Sequence, residues 1–239
     1  MDTIKINKAN TKLIAHRGLS GLECGNTNAA FVAAGNRSYF GIETDVHVTA
    51  DGRFAVFHDD ITTAMSGVLL EVEKSTYDEL RQIRLYDMQR DVFRSDLVIP
   101  QLHEYIRICK RYEKTAVLEL KNEMTEDNIR RIAEQVDGEG YLENTVVISF
   151  KWHNLELMKK HYPEQRVQFL TDKNEAGLCE KLKRSGFGLD IEYRSVTSEL
   201  IKELHASGLE INCWTCNDKE TAERLVSLGV DYITTNILE

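Results

Sequence analysis

The second half of the chain repeats one unit three times, in which an amphipathic helix stops at a glycine and a short apolar strand follows. In the clearest copy, the helical pattern of Thr197–Ser207 stops at Gly208, and three of its apolar residues share one helical face. The strands of the three units are Leu189–Glu192, Leu209–Trp214 and Asp231–Thr235. Helices that end at glycine and alternate with buried strands are typical of parallel β/α folds.

The first half follows the same order of helices and strands. Its predicted parallel strands are Leu13–His16, Gly41–His47, Ala116–Leu120, Val146–Phe150 and Val167–Leu170. Eight parallel strands in 239 residues, with two prolines and no low-complexity linker, predict a single (β/α)8 TIM-barrel domain over residues 1–239.

One segment departs from this order, because no helix fits between Ile42–Val48 and Phe54–His58. Asp51-Gly52 lies between these runs and is a strong hairpin signal, so Phe54–His58 is predicted to pair antiparallel with the preceding strand. A tight turn at Asp51-Gly52 would place residue 46 opposite residue 57 and His58 beside Asp45. The prediction is therefore a TIM barrel with an extra antiparallel hairpin after its second strand.

Composition excludes several partners. Thirty basic and 39 acidic residues give a net charge of −9, which argues against a nucleic-acid backbone or an anionic membrane as the main partner. No apolar run is long enough to cross a bilayer, and the first residues lack the apolar core of a secretory signal. Five scattered cysteines, including the C-x-x-C pair Cys213 and Cys216, favour reduced thiols in a cytoplasmic protein.

Strand alternation brings acidic side chains together at one end of the predicted barrel. Glu43, Asp45 and His47 share a face of their strand, and Glu119, followed by Lys121 on the same face, ends another strand. Buried carboxylates repel one another unless a cation joins them, and oxygen ligands suit Mg²⁺ or Ca²⁺. We therefore predict a site for one divalent cation. Solvated rim carboxylates are the alternative at this stage.

Two histidines are predicted to lie beside these carboxylates. His16 ends the first strand and precedes Arg17, while the hairpin brings in His58. Active sites of these barrels gather at the carboxyl ends of the strands, and two imidazoles beside a metal-bound anion could act as general base and general acid. Arg17 offers a bidentate contact for phosphate and Lys121 a second positive charge.

The chain resembles the glycerophosphodiester phosphodiesterase family, in its small bacterial form, along almost its whole length. The matching motifs include His16-Arg17-Gly18, Asn26-Thr27, Ile42-Glu43-Thr44-Asp45, Phe57-His58-Asp59, Leu118-Glu119-Leu120-Lys121 and Trp214-Thr215. The resemblance implies a metal held by Glu43, Asp45 and Glu119, catalysis by His16 and His58, and substrate contacts from Arg17, Lys121 and Trp214. Trp214 as a core or rim aromatic stays open.

The resemblance also implies a substrate and a reaction. The expected reaction is metal-dependent hydrolysis of glycerophosphodiesters, small molecules of phospholipid degradation, to glycerol 3-phosphate and an alcohol through a cyclic phosphate. One position departs from the family pattern, because Gly25 stands where a glutamate usually precedes Asn-Thr, and Glu23 could replace that acid. The alternatives are a lysophospholipase D-type phosphodiesterase, a sugar-phosphate lyase or isomerase, and a catalytically impaired binding barrel.

Overall fold

Eight parallel strands close into a barrel in the computed structural model of the chain, which describes residues 2–88 and 92–239. In chain order the strands are β1 (Lys12–Ala15), β2 (Gly41–Val48), β3 (Phe54–Val56), β4 (Thr115–Leu120), β5 (Thr145–Ser149), β6 (Arg166–Thr171), β7 (Gly188–Glu192), β8 (Ile211–Trp214) and β9 (Tyr232–Thr235). All are parallel neighbours except β3, and the pairing of β1 with β9 and with β2 closes the barrel. The predicted TIM barrel is confirmed, with strand ends shifted by one or two residues.

Helices connect the strands on the outside of the barrel. Over the same residues the α-helices are α1 (Asn28–Gly35), α2 (Thr63–Ser66), α3 (Tyr77–Gln82), α4 (Leu102–Arg111), α5 (Glu126–Gly138), α6 (Trp152–His161), α7 (Leu178–Ser185), α8 (Ser198–Ala206) and α9 (Lys219–Leu228). Gly186 and Gly229 end α7 and α9 in the left-handed conformation, as the repeated unit predicts. The side chains of Thr76 and Glu79 form the capping box that starts α3.

The extra strand pairs where the sequence predicts, but its register is one residue away from the prediction. Val46 lies opposite Val56, not residue 57, and Val48 lies opposite Phe54. The reason is a three-residue loop: Thr49 N donates to Arg53 O at 2.9 Å, and Gly52 has a φ of +73°. A glycine in this conformation adds a residue to one side of a hairpin. The register prediction was therefore wrong, and Phe57 lies opposite Asp45.

The barrel interior divides into an apolar and a polar part. Six buried side chains from five strands pack together in the interior: Ile14, Val117, Val146, Ile148, Leu170 and Tyr232. Alternate residues of the same strands point outward and pack against the helices in a much larger core. The polar interior residues of β2 and β4 lie toward the carboxyl ends of the strands, where TIM barrels carry their active sites.

Two further sequence expectations concern cysteines and membranes. Cys213 and Cys216 are buried thiols at the end of β8 that form no disulfide, and their Sγ atoms lie 3.6 Å from Tyr232 O and 3.7 Å from Asp218 O. Among the described residues, no helix combines the length and apolar content needed to cross a bilayer.

Candidate active site

Three buried carboxylates meet where β2 and β4 run side by side. Glu43 and Asp45 share the inner face of β2, and the strand register places Asp45 next to Glu119 of β4. Exposure of the three residues is 3%, 1% and 8%, so the solvated-rim alternative is wrong. One ligand oxygen from each lies within 4.8 Å of the others. This spacing fits a single hard cation bound by oxygen atoms.

The charges around this cluster are not balanced by the protein alone. Burial, followed by the negative charge of Asp45, raises the pKa of Glu43 well above its ordinary range and that of Glu119 to about 7. Burial also opposes ionisation of Asp45, but Lys121 and Arg17 prevail and lower the pKa of this carboxyl to about 2. Lys121 Nζ lies 3.2 Å from Asp45 Oδ1 and 2.9 Å from Glu119 Oε1. A divalent cation would let all three carboxylates ionise at neutral pH.

The loop after β1 holds the two carboxylates of β2 in place. Arg17, with a φ of +55°, donates its backbone N–H to Glu43 Oε2 at 2.8 Å, and its Nε lies 3.4 Å from Asp45 Oδ2. Asn26, also left-handed, donates from Nδ2 to Asp45 Oδ2 at 2.8 Å and accepts from Thr44 Oγ1 at 2.7 Å. In the sequence, Asn26 is only part of a matching motif. Its hydrogen bond to Asp45 becomes evident only in the folded structure.

Both histidines are oriented by an oxygen at Nδ1. His16 Nδ1 lies 2.7 Å from Asn236 Oδ1, and His58 Nδ1 lies 2.6 Å from Asp59 Oδ1. Neither oxygen donates a proton when Asp59 is ionised, so these contacts assign the Nδ1–H tautomer to each neutral ring and leave Nε2 as its acceptor. His16 Nε2 lies 4.0 Å from Glu43 Oε2. Burial, with Arg17 adding to it, lowers the pKa of His16 to about 4, and burial also lowers that of His58.

Two cavities meet at the histidines and share His16, Arg17 and His58 as a common wall. The first, of about 210 Å³, is completed by Ser20, Gly25, Asn26, Phe57, Asp59, Met65 and Asn236. The second, of about 170 Å³, is completed by Glu43, Glu119, Ile148, Phe150, Leu170, Asp190, Trp214, Thr215 and Thr234. The three shared residues therefore lie where the two cavities adjoin.

Trp214 forms one wall of the second cavity. Its Nε1 donates to the carbonyl oxygen of Asp190 at 3.3 Å, and its ring meets Phe150 edge-on at a centroid distance of 5.6 Å. All the sequence-predicted site residues, including Lys121 at the carboxylates, are thus brought to one region. His58 also lies in this region, although the predicted register of the hairpin was wrong. It follows the end of β3 at Val56, so the pairing of that strand does not determine the direction of its side chain.

The sequence did not predict several residues that belong to the site or lie behind it. Asn236, Asp59 and Asp190 carry no recognisable spacing in the sequence: Asn236 and Asp59 lie beyond the ends of β9 and β3, and Asp190 lies within β7. The carboxylate of Glu23, the residue that could have replaced the missing acid, pairs with Arg94 at 2.8 Å. His47 is buried behind His58, with Nδ1 3.0 Å from Glu73 Oε1 and Nε2 3.3 Å from the His58 carbonyl oxygen.

Sequence comparison shows which family uses this arrangement. A model of the glycerophosphoryl diester phosphodiesterase family matches residues 16–239. The chain belongs to this family. It is 30% identical to a glycerophosphodiester phosphodiesterase of Bacillus altitudinis over 237 residues, which cover 95% of this chain and 94% of the relative. The protein is accordingly a phosphoric diester hydrolase.

Solved structures agree with this assignment. A glycerophosphodiester phosphodiesterase from Parabacteroides distasonis is 28% identical and superposes with a TM-score of 0.80, covering 96% of this chain and 94% of that one. A phosphodiesterase of Oleispira antarctica, solved with the product sn-glycerol-3-phosphate, shares the fold with a TM-score of 0.80 at 24% identity. The superposition covers 94% of this chain and 92% of the Oleispira antarctica chain.

Proposed function

We propose that this protein hydrolyses glycerophosphodiesters to glycerol 3-phosphate and an alcohol, with one divalent cation and with His16 and His58 as the acid–base pair. The observation that carries the proposal is the convergence of two imidazoles, each with Nδ1 held by an oxygen, on three buried carboxylates. The product bound to the structurally similar Oleispira antarctica enzyme supports the choice of glycerol 3-phosphate.

Glu43, Asp45 and Glu119 are the residues that would hold the cation, and their oxygen donors fit Mg²⁺ or Ca²⁺. When bound, such a cation supplies positive charge that stabilises the phosphate and lowers the pKa of a nearby hydroxyl. Arg17 would contact the phosphate, since its guanidinium borders both cavities. Lys121 adds a positive charge beside Asp45 and Glu119.

The two imidazoles would move the protons. In the first step, one neutral imidazole removes the proton of the glycerol 2-hydroxyl through its Nε2. The other imidazole, protonated at both ring nitrogens, donates its Nε2 proton to the oxygen of the departing alcohol. The product is a cyclic phosphate, and the same groups in exchanged roles let water open it. Each histidine contributes roughly 10²–10⁴-fold to the rate in such a role.

A metal-restoration assay tests the reaction. Protein stripped of metal is given Mg²⁺ or Ca²⁺ and incubated with glycerophosphocholine or glycerophosphoethanolamine, and glycerol 3-phosphate is measured. His16→Ala and His58→Ala should lower the rate at least about 100-fold. His153→Ala is the matched control, because His153 lies on the exposed face of α6. Full activity in either site variant would contradict the acid–base roles.

A substrate with a good leaving group separates the two roles. The glycerophosphodiester of 4-nitrophenol releases an alcohol that needs no protonation. The variant that lacks the acid of the first step should recover most of its rate on this substrate, whereas the variant that lacks the base should not. Equal recovery in both variants would contradict a division of roles.

A lysophospholipase D-type activity is a second candidate, and a specific surface favours it. Six exposed apolar residues among the described ones lie between β3 and α4, the segment that also contributes Asp59 and Met65 to the first cavity: Ile61, Val68, Leu69, Met88, Val92 and Phe93. Such a surface suits a substrate with an acyl chain. Faster release of choline from lysophosphatidylcholine than from glycerophosphocholine would favour this candidate.

The single-domain organisation and the cytoplasmic location stay predictions.

A further inference from the structure

Asp190 is a buried carboxyl to which the proposed reaction gives no role. It lies in the middle of β7, between Leu189 and Ile191, which pack outward in the large core, so its side chain faces the barrel interior. The residue is 1% exposed, and its Oδ1 has no hydrogen-bond partner among the described residues. A buried polar atom without a partner is costly, so such an atom in a cavity wall points to a ligand.

One neighbouring polar side chain, that of Asn212, interacts with the Asp190 carboxyl, but Oδ1 remains without a hydrogen-bond partner in the part of the chain that the structure describes. Asn212 is the residue beside Asp190 on β8, and its Nδ2 donates to Thr234 Oγ1 at 3.0 Å. On the other side, the residue beside Asp190 is the apolar Leu170 of β6. The carbonyl group of Asp190 is occupied separately, because Trp214 Nε1 donates to it. Oδ1 is therefore left for a group that enters the second cavity.

The second cavity suits the glycerol half of the substrate. Glu43 and Glu119 line this cavity, whereas none of the three cluster carboxylates lines the first one. The glycerol 2-hydroxyl has to reach these carboxylates in the proposed reaction, so the rest of the glycerol lies on the same side. The volume of about 170 Å³ is below the roughly 300–1,000 Å³ of pockets for drug-sized ligands, and so fits a small polyol.

Resting on the proposed function, we propose that Asp190 binds the terminal hydroxyl of the glycerol moiety and thereby determines specificity for glycerol. A hydroxyl both donates and accepts, so it pairs with a carboxyl in either protonation state. The ring of Trp214, fixed by its bond to the Asp190 carbonyl and by its edge contact with Phe150, covers the carbon chain. One residue thus contributes its side chain to the hydroxyl and its backbone to the aromatic wall.

A pair of substrates isolates this contact. Glycerophosphocholine is compared with the phosphocholine ester of propane-1,2-diol, which keeps the 2-hydroxyl and lacks only the terminal one. The native enzyme should prefer the glycerol substrate at least about 30-fold in kcat/KM, because the analogue leaves Asp190 without a partner. In Asp190→Ala the preference should fall below about threefold, while Asp190→Asn, which still forms hydrogen bonds, should retain most of it.

The other outcomes of this comparison would contradict either the role of Asp190 or the proposed function. A native preference below threefold, or an unchanged preference in Asp190→Ala, overturns the proposal. A loss of more than tenfold in Ca²⁺ affinity in Asp190→Asn, measured by calorimetry, also overturns it, because Asp190 would then be a metal ligand. If the native protein hydrolyses neither substrate, the proposed function fails. Binding then decides the inference: glycerol 3-phosphate should bind native protein at least tenfold more tightly than 1,2-propanediol phosphate.

Discussion

His16 Nδ1 and Asn236 Oδ1 lie 2.7 Å apart, although 220 positions separate the two residues in the chain. The contact exists because β1 and β9 are neighbours in the barrel, so that the residues just beyond both strands meet at the same end. It fixes the ring of His16 and turns Nε2 toward the carboxylate cluster. The orientation of the proposed catalytic side chain of His16 thus depends on a residue just beyond β9.

Removing the amide of Asn236 should therefore impair catalysis without unfolding the protein. We expect Asn236→Ala to lower kcat about 10- to 100-fold, since a ring that loses its orienting partner samples unproductive rotamers. Ser20→Ala is the matched control, because Ser20 Oγ donates to the same Asn236 oxygen at 2.9 Å. Steady-state kinetics and thermal unfolding check both variants. Equal rate losses in the two would mean that the effect does not come from the contact between Asn236 and His16.

Metal affinity should rise with pH between about 5.5 and 7. The pKa of Glu119 in the metal-free protein is raised to about 7, so a cation must displace a proton below that pH. We expect Ca²⁺ affinity to increase by up to tenfold per pH unit between pH 5.5 and 7 for each proton displaced. Calorimetry at several pH values measures this, with Glu119→Gln as the variant that should bind weakly and respond less to pH. An affinity that is constant over this range would contradict the prediction.

Gly18 should be far less replaceable than another left-handed glycine of the same chain. Its φ is +77°, and an added Cβ would lie 2.6 Å from the carbonyl carbon of Ala30. Gly186 has a φ of +66° but no atom within 4 Å of an added Cβ. Gly186→Ala should cost about 1 kcal/mol of stability, from backbone strain alone. Gly18→Ala should cost at least about 2 kcal/mol more, as measured by urea unfolding. Similar losses in the two variants would mean that α1 moves aside easily.

The carboxylate of Glu239 should stabilise the fold at neutral pH. It accepts from Thr3 Oγ1 at 2.6 Å and from Ser38 N at 2.9 Å, and Lys5 Nζ lies 2.9 Å away. Burial opposes ionisation, but these donors prevail and lower the pKa of Glu239 from 4.5 to about 2. The unfolded chain therefore takes up this proton first, so the stabilisation is complete above pH 4.5 and disappears as the pH falls toward 2.

Replacing that carboxylate tests the contribution. Glu239→Gln should lower the free energy of unfolding by about 1–2 kcal/mol at pH 7 and by much less at pH 2.5. The exposed Glu180, changed to Gln, provides the control. Thermal unfolding at both pH values makes the comparison, and a loss of equal size at the two values would show that the charge of Glu239 is not the cause.

The sequence was sufficient for the architecture because its signals are local. Helices that stop at glycine and apolar strands of four to eight residues define the barrel, and alternation along β2 places Glu43 and Asp45 on one face. The hairpin was located correctly, but its register depended on whether Gly52 joins a two-residue or a three-residue loop. That choice rests on backbone conformation, which the Asp-Gly signal alone does not determine.

The supporting contacts of the site could not be predicted in the same way. Asn236 and Asp59 differ in no periodic property from solvated residues of a loop, and they gain their roles only when barrel closure and the hairpin bring them to an imidazole. Asp190 lies within an apolar strand, where alternation indicates its inward direction but not the missing partner of its carboxyl. Residues that orient others depend on distances across the barrel, which spacing along the chain does not encode.

The closure of the barrel by β1 and β9 has a consequence for how the enzyme becomes active during its synthesis. A nascent chain that has emerged from the ribosome through β8 already contains both histidines, the three cluster carboxylates, Arg17, Lys121 and Trp214. It still lacks Asn236, the acceptor for His16, and the strand that covers β1. Turnover should therefore begin only when β9 and Asn236 dock against β1, which makes catalysis a reporter of barrel closure.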